Sequence, residues 1–236
     1  MVGVVALVGS GEYLDVMNDV DRRLLAGSGR PKPRVVCLPT AAGLEGSESV
    51  GRWSRMGVEH FRKLGAHVEA LPVIDRASAG DPKCAERVES ADLIYFSGGD
   101  PLFLCRTLID TRVWAAVEAA WARGAVFVGC SAGAMILGVG VPDVQSPELT
   151  VYSAFNRIPN AFILPHFDRL EEFRPGATEL IRGRLADGQY ALGIDENTAL
   201  VGHIGGEWEV MGAAGASLMT RRGTTRYIVE NRLTLP

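Results

Sequence analysis

Short apolar runs alternate with longer amphipathic segments over the first 130 residues of the chain. The apolar runs predict buried strands, and the segments between them have helical spacing. Because the runs are apolar without interruption, we expect both faces of their sheet to be covered. The predicted strands span residues 2–8, 34–39, 67–73, 92–96 and 125–129; the predicted helices end near residue 25 or span residues 49–64 and 102–122, the last with a break near residue 110. This pattern predicts an α/β fold with a mostly parallel sheet flanked by helices on both faces.

The second half of the chain is less regular. Residues 161–164 and 190–194 read as strands, with a helix over residues 170–185 between them. Residues 199–204 and 208–211 predict a late β-ribbon around Gly205 and Gly206. The sequence has no internal repeat, low-complexity segment or linker, so we expect one domain over residues 1–236.

Composition and charge narrow the classes of function. The formal net charge is −4 without long charge runs, which argues against a nucleic-acid partner. No apolar run reaches membrane-spanning length, and the N-terminus lacks a basic leader, so we expect a cytoplasmic protein without a membrane partner. A homodimer is compatible with the sequence. We expect no metal or cofactor, because no C-x-x-C pair occurs among the four cysteines, Cys37, Cys84, Cys105 and Cys130.

The sequence Gly-Cys-Ser-Ala-Gly at residues 129–133 has the spacing of a nucleophile elbow. An apolar strand precedes it and a helical segment follows, so Ser131 should be exposed at a strained turn above the sheet. The N–H groups at the start of the helix would favour a developing negative charge. The competing interpretation is a glycine-rich packing turn. Cys130 lies off the centre of the motif, and we expect its side chain to point into the core.

A nucleophilic serine needs a base, and the chain has four histidines. His166 follows the strand at residues 161–164, and ligands gather at the carboxyl ends of strands in open α/β sheets. We predict that His60, in a helical run, is solvated. Asp195 and Glu196 follow the strand at residues 190–194, and either carboxylate could orient the histidine.

Ser97, Gly98, Gly99 and Asp100 follow the predicted fourth strand. Two glycines at a strand end allow backbone N–H groups to approach a ligand closely. With the N–H of Ala132, these groups could form an oxyanion hole.

Four segments together resemble peptidase family S51, which includes aspartyl dipeptidase (peptidase E) and cyanophycinase. The resemblance implies a class I glutamine amidotransferase-like fold with Ser131 as nucleophile, His166 as base and Glu196 as orienting acid. It also implies Gly99 and Ala132 as the oxyanion donors, with Gly98, Asp100 and Asp195 in supporting or alternative roles. The four segments are FSGGDP at residues 96–101, GCSAGAMILG at 129–138, PHFDR at 165–169 and GIDENTAL at 193–200.

The resemblance also implies a substrate, a short and acidic peptide such as an Asp-X dipeptide. A basic residue would then hold the aspartate side chain, and Arg169 and Arg174 are the available candidates. One alternative is a cyanophycinase-like isopeptidase acting on a β-Asp-Arg polymer, although Pro101 stands where that branch usually has glutamine. A second alternative is a non-catalytic member of the fold that binds a ligand through Gly9, Ser10 and Gly11.

Overall fold

A computed structural model describes residues 3–143, 148 and 150–236 of the chain. The strands are β1 Val5–Val8, β2 Arg34–Leu38, β3 His67–Ala70, β4 Leu93–Phe96, β5 Val126–Cys130, β6 Gly140–Pro142, β7 Val151–Ser153, β8 Ala161–Leu164, β9 Tyr190–Ile194, β10 Thr198–Gly202, β11 Glu207–Gly212, β12 Gly215–Thr220, β13 Gly223–Ile228 and β14 Arg232–Thr234. The helices are α1 Asn18–Gly27, α2 Ser47–Lys63, α3 Arg76–Gly80, α4 Pro82–Glu89, α5 Pro101–Leu108, α6 Arg112–Ala122, α7 Ala132–Met135, α8 Leu170–Phe173 and α9 Ala177–Arg184.

The largest sheet has eight strands in the order β14-β11-β10-β1-β5-β4-β2-β3. The five strands from β1 to β3 in this order run parallel, and β10, β11 and β14 extend the sheet with antiparallel pairs. The predicted mostly parallel α/β architecture is therefore confirmed. The first predicted strand begins at residue 2, which lies outside the described residues.

Both faces of this sheet are covered. Val5 and Leu7 of β1 belong to one buried apolar cluster, and Ala6 and Val8 belong to another on the opposite face. The first cluster includes residues of α4, α5 and α6, and the second includes residues of α1 and α2. The uninterrupted apolar runs follow from this arrangement, because successive side chains of a strand point to opposite faces.

A second sheet was not predicted as separate from the first. It has the order β13-β12-β9-β8, with β8 and β9 parallel and the other pairs antiparallel. The strands β12, β13 and β14 were not predicted either. Of these, β13 and β14 are largely exposed and carry polar residues, whereas β12 is mostly buried. The late ribbon exists as β10 and β11, and β11 pairs further with β14.

The helix predicted over residues 170–185 is two helices, α8 and α9. Pro175 and Gly176 separate them, and Gly176 has a left-handed φ of 80°. This sequence is a typical helix breaker, so the sequence contained the signal for the break. Among the described residues, no helix has the length and apolar character to cross a membrane.

Candidate active site

Ser131 lies between β5 and α7, at the carboxyl end of the central parallel strands. Its backbone has φ 49° and ψ −111°, a strained conformation for a residue with a side chain. Glycines are required on either side of it. A Cβ on Gly129 would lie 2.2 Å from the carbonyl oxygen of Gly133, and one on Gly133 would lie 2.6 Å from that of Phe96.

His166 and Glu196 reach Ser131 from the second sheet. Since β8 and β9 are parallel neighbours, with Leu164 opposite Gly193, the residues that follow them emerge at one edge. Ser131 Oγ lies 3.2 Å from His166 Nε2, and His166 Nδ1 lies 2.8 Å from Glu196 Oε1. A carboxylate accepts hydrogen bonds, so Nδ1 carries the proton and Nε2 is left to accept from the serine hydroxyl.

Asp195 and Glu196 have different surroundings. Glu196 contacts His166, whereas Asp195 is fully buried and pairs with Arg226 of β13. Asp195 also accepts the backbone N–H of Gly215 at 3.1 Å. Burial of Asp195 is thus compensated by two donors, Arg226 and the N–H of Gly215. These contacts fix the backbone next to Glu196.

The loop of Glu196 is held from two further directions. Its backbone N–H donates to Asp168 Oδ1 at 2.9 Å. Gly9 and Gly11, which the sequence offered as a ligand-binding turn, pack against the same loop. A Cβ on Gly9 would lie 2.0 Å from the carbonyl oxygen of Asp195, and one on Gly11 would lie 2.3 Å from Asn197 Oδ1. These glycines therefore allow the turn after β1 to pack closely against the loop that carries Glu196.

The glycine turn after β4 lies beside Ser131, and its two glycines differ. Gly98 donates its N–H to Glu12 Oε1 at 2.8 Å, so that N–H is already used. Gly99 has φ 139°, and a Cβ there would lie 2.4 Å from the carbonyl oxygen of Ala41. Within the described residues, the N–H groups of Gly99 and Ala132 have no intramolecular acceptor. The geometry leaves these two groups available as oxyanion donors.

Glu12 is a further residue beside the site, and no motif in the sequence singled it out. It is buried, and its second oxygen lies 3.0 Å from Cys130 Sγ. Burial, and secondarily the Glu12 carboxylate, raises the pKa of the Cys130 thiol well above its ordinary value. The thiol is thus a protonated donor to Glu12, and Cys130 lies in the core as expected. The available signal was the position of Glu12, which like Ser131 follows a parallel strand at its carboxyl end.

His60 is not solvated, contrary to the prediction. It is buried on α2, and its Nε2 lies 2.7 Å from Asp21 Oδ2 of α1. The rings of Tyr13 and Phe61 pack against it. The helical spacing of the sequence did not show that a carboxylate 39 residues away supplies its partner.

A cavity of about 580 Å³ opens beside Ser131 and His166. Gly99 and Asp100 lie on its wall, and Asp100 also caps α5 by accepting the N–H of Phe103 at 2.8 Å. Neither predicted substrate-binding arginine is among the described residues that line the cavity. Arg169 instead pairs with Glu172 at 2.6 Å. In the described part of the chain, no cluster of three or more His, Cys, Asp or Glu side chains has the arrangement of a metal site.

An elbow serine, a histidine and a carboxylate joined in one hydrogen-bonded chain beside a cavity define a hydrolase-type site on an α/β fold. Residues 5–208 match peptidase family S51, and the chain belongs to that family. The resemblance found in the sequence is thereby confirmed.

Individual relatives agree with this assignment. The chain is 28% identical to the uncharacterized peptidase YgaJ of Bacillus subtilis (strain 168), over 84% of this chain and 81% of that protein. It is 25% identical to a cyanophycinase of Trichormus variabilis, over 91% of this chain and 72% of that protein.

Among solved structures, a peptidase from an acI-B1 Actinobacterium matches with a TM-score of 0.91 and 33% identity, covering 100% of this chain and 98% of the other. A putative peptidase E from Listeria monocytogenes EGD-e matches with a TM-score of 0.66 and 21% identity, covering 91% of this chain and all of the other, and shows the shared fold.

Proposed function

We propose that this S51 peptidase hydrolyses short peptides by a serine mechanism, through an acyl-enzyme on Ser131. The observation that supports it most directly is the chain of contacts from Ser131 Oγ through the His166 ring to Glu196 Oε1. Each contact has the length and order that a nucleophile, a base and an orienting acid require.

In the first half of the reaction, Ser131 Oγ attacks the peptide carbonyl carbon as its proton passes to His166 Nε2. Glu196 stabilises the resulting imidazolium through Nδ1–H. The N–H groups of Gly99 and Ala132 are placed to donate to the oxyanion. His166 then gives the proton to the leaving amine as the C–N bond breaks.

In the second half, water attacks the acyl-enzyme and His166 takes one of its protons. Collapse of the tetrahedral intermediate breaks the bond between Ser131 Oγ and the acyl carbon. The proton returns to the serine, and the free carboxylic acid leaves. No net proton is gained or lost by the site over one turnover.

The cavity supports small substrates. A volume of about 580 Å³ lies in the range of clefts that take small ligands, about 300–1,000 Å³, so a dipeptide or the end of a short peptide is the expected guest. The rival activity, cleavage of a β-Asp-Arg isopeptide, is suggested by the cyanophycinase relatives.

A fluorophosphonate probe tests the serine mechanism. We expect one label per folded chain, located on Ser131 by peptide mass spectrometry, and loss of labelling and of dipeptide hydrolysis in Ser131→Ala. The variant Ser217→Ala is a matched control that should keep both, since Ser217 is a buried serine on β12 and not one of the residues assigned to the site. Labelling of wild type and Ser131→Ala to the same extent would refute the mechanism. Faster release of arginine from β-Asp-Arg than of amino acids from any α-dipeptide would favour the rival activity.

A further inference from the structure

The cavity beside Ser131 is walled mainly by apolar side chains. Beyond the glycines, prolines and reacting groups, its aliphatic and aromatic lining consists of Leu102, Met135, Val141, Leu164, Leu170 and Phe173. A cleft of this composition binds apolar groups, because removing apolar surface from water lowers the free energy in proportion to the apolar area covered.

Phe173 is the most exposed member of that wall. Its residue is 66% exposed, although α8 is anchored by Leu170, which is only 5% exposed. Its ring meets the His166 ring nearly edge-on, with the ring centres 6.2 Å apart. A large aromatic side chain beside the predicted base, packed on one side and open on the other, is positioned to cover an apolar group held next to Ser131.

The charges of the cavity point in the same direction. Apart from His166, the ionisable residues among its described lining are Asp100 and Asp143. Both are acidic, and the described lining contains no arginine or lysine. An acidic side chain placed here would lose hydration and find no basic side chain in the described lining, whereas burial of an aliphatic side chain carries no such cost.

From the apolar wall, the exposed Phe173 ring and the described lining without a basic side chain, we infer that the preferred substrates carry an aliphatic or aromatic side chain on the acyl residue, the residue that supplies the scissile carbonyl. Phe173 is the specificity residue that covers this side chain. The inference rests on the proposed serine peptidase function, and it replaces the acidic preference expected from the sequence.

Three dipeptides with a common leaving residue measure the preference: Leu-Leu, Asn-Leu and Asp-Leu. Asn and Leu have similar size, and Asn and Asp differ by a charge, so the series separates polarity from charge. We expect kcat/KM to fall at least about tenfold from Leu-Leu to Asn-Leu, the effect of one poorly matched group in an apolar pocket, and to fall again from Asn-Leu to Asp-Leu. An equal or higher kcat/KM for Asp-Leu would overturn the inference.

The variant Phe173→Ala tests the assigned residue. We expect kcat/KM for Leu-Leu to fall about tenfold, mainly through KM, with a much smaller change for Ala-Leu, whose side chain does not reach the ring. The control Ile228→Ala removes a similarly exposed apolar residue, 63% exposed on β13, and should leave both substrates unchanged. Equal losses on Leu-Leu and Ala-Leu in Phe173→Ala would overturn the role of this residue.

Fluorophosphonate labelling separates the two levels of failure. If Ser131 is labelled and Asp-Leu is the best substrate, the apolar preference is wrong and the serine peptidase function stands. If no dipeptide is cleaved and Ser131 is not labelled, the proposed function and the preference fail together.

Discussion

Glu12 holds the turn that contains the predicted oxyanion donor Gly99, through a hydrogen bond to the neighbouring Gly98. Its carboxylate is buried and accepts two donors, the N–H of Gly98 and the thiol of Cys130, which belong to the two strand ends flanking the site. The variant Glu12→Ala removes both acceptors. The N–H of Gly98 is then left in the interior without a partner.

The size of the effect follows from that N–H group. An unsatisfied buried donor costs about 1–3 kcal/mol, partly offset because a buried carboxylate is removed as well. We expect Glu12→Ala to lower the free energy of unfolding by about 2 kcal/mol. For a chain of 236 residues, this corresponds to a fall in Tm of about 4–8 °C.

Activity should fall beyond the loss of stability. If the Gly98 peptide moves, the N–H of Gly99 moves with it, and removal of a single oxyanion donor costs about 10²–10³ in kcat. We expect Glu12→Ala to lose at least about tenfold in kcat, measured well below its Tm, with a smaller change in KM. An unchanged kcat would show that the turn holds its position without Glu12.

Glu12→Gln is the informative companion variant. Its amide oxygen can still accept the N–H of Gly98, so it should retain most of the stability that Glu12→Ala loses. Glu59→Ala, an exposed glutamate on α2, is the control and should melt within about 1 °C of wild type. The reasoning is refuted if Glu12→Ala also melts within about 1 °C of wild type, or if Glu12→Gln loses as much as Glu12→Ala.

Three further outcomes are expected. Because burial raises the pKa of the Cys130 thiol, iodoacetamide should not inactivate the folded enzyme, and inactivation in proportion to Cys130 alkylation would contradict this. Hydrogen bonds from Thr178 and from the N–H of Gly176 lower the pKa of Glu171. The stability that Glu171 contributes is therefore present above the ordinary pKa of glutamate and is lost as the pH falls through its lower pKa in the folded state. The urea midpoint of Glu171→Gln should accordingly approach that of wild type as the pH is lowered. Asp195→Ala should unfold about 1–3 kcal/mol more easily in urea and lose kcat, since Gly215 and Arg226 lose their acceptor beside Glu196; unchanged kcat would show that this pair does not position the acid.

Residues at the ends of apolar strands were predictable from the sequence. Ser131, His166 and Glu196 each follow such a run, and the carboxyl ends of parallel strands meet at one edge. What the sequence did not reveal is that β8 and β9 form their own sheet. Their apolar runs resemble those of the main sheet, and the partner strand β12 is recognised only when it pairs with β9.

Buried polar pairs were the other limit. His60 and Asp21 lie on different helices, and Asp195 and Arg226 lie 31 residues apart. A polar residue in a helical or exposed strand pattern gives no local sign that a distant partner will compensate its burial. The Asp21–His60 pair forms because α1 and α2 cover the same face of the main sheet. Arg226 lies near Asp195 because β13 pairs with β12, which in turn pairs with β9.

The division into two sheets has a consequence for the site itself. Ser131 is fixed by β5 and its neighbours, whereas His166 and Glu196 are fixed by β8 and β9, so the hydrogen bond from serine to histidine spans two separately built sheets. Backbone with positive φ occurs on both sides, at Ser131 (49°) and His166 (50°), at a cost of about 1–3 kcal/mol each. Such conformations persist only where the surroundings over-determine them. The elbow glycines do this for Ser131, and the 2.8 Å bond to Glu196, whose loop the Asp195–Arg226 pair anchors, does it for His166. In the proposed mechanism these two residues exchange a proton, whereas the elbow glycines and the Asp195–Arg226 pair that support them take no part in that exchange.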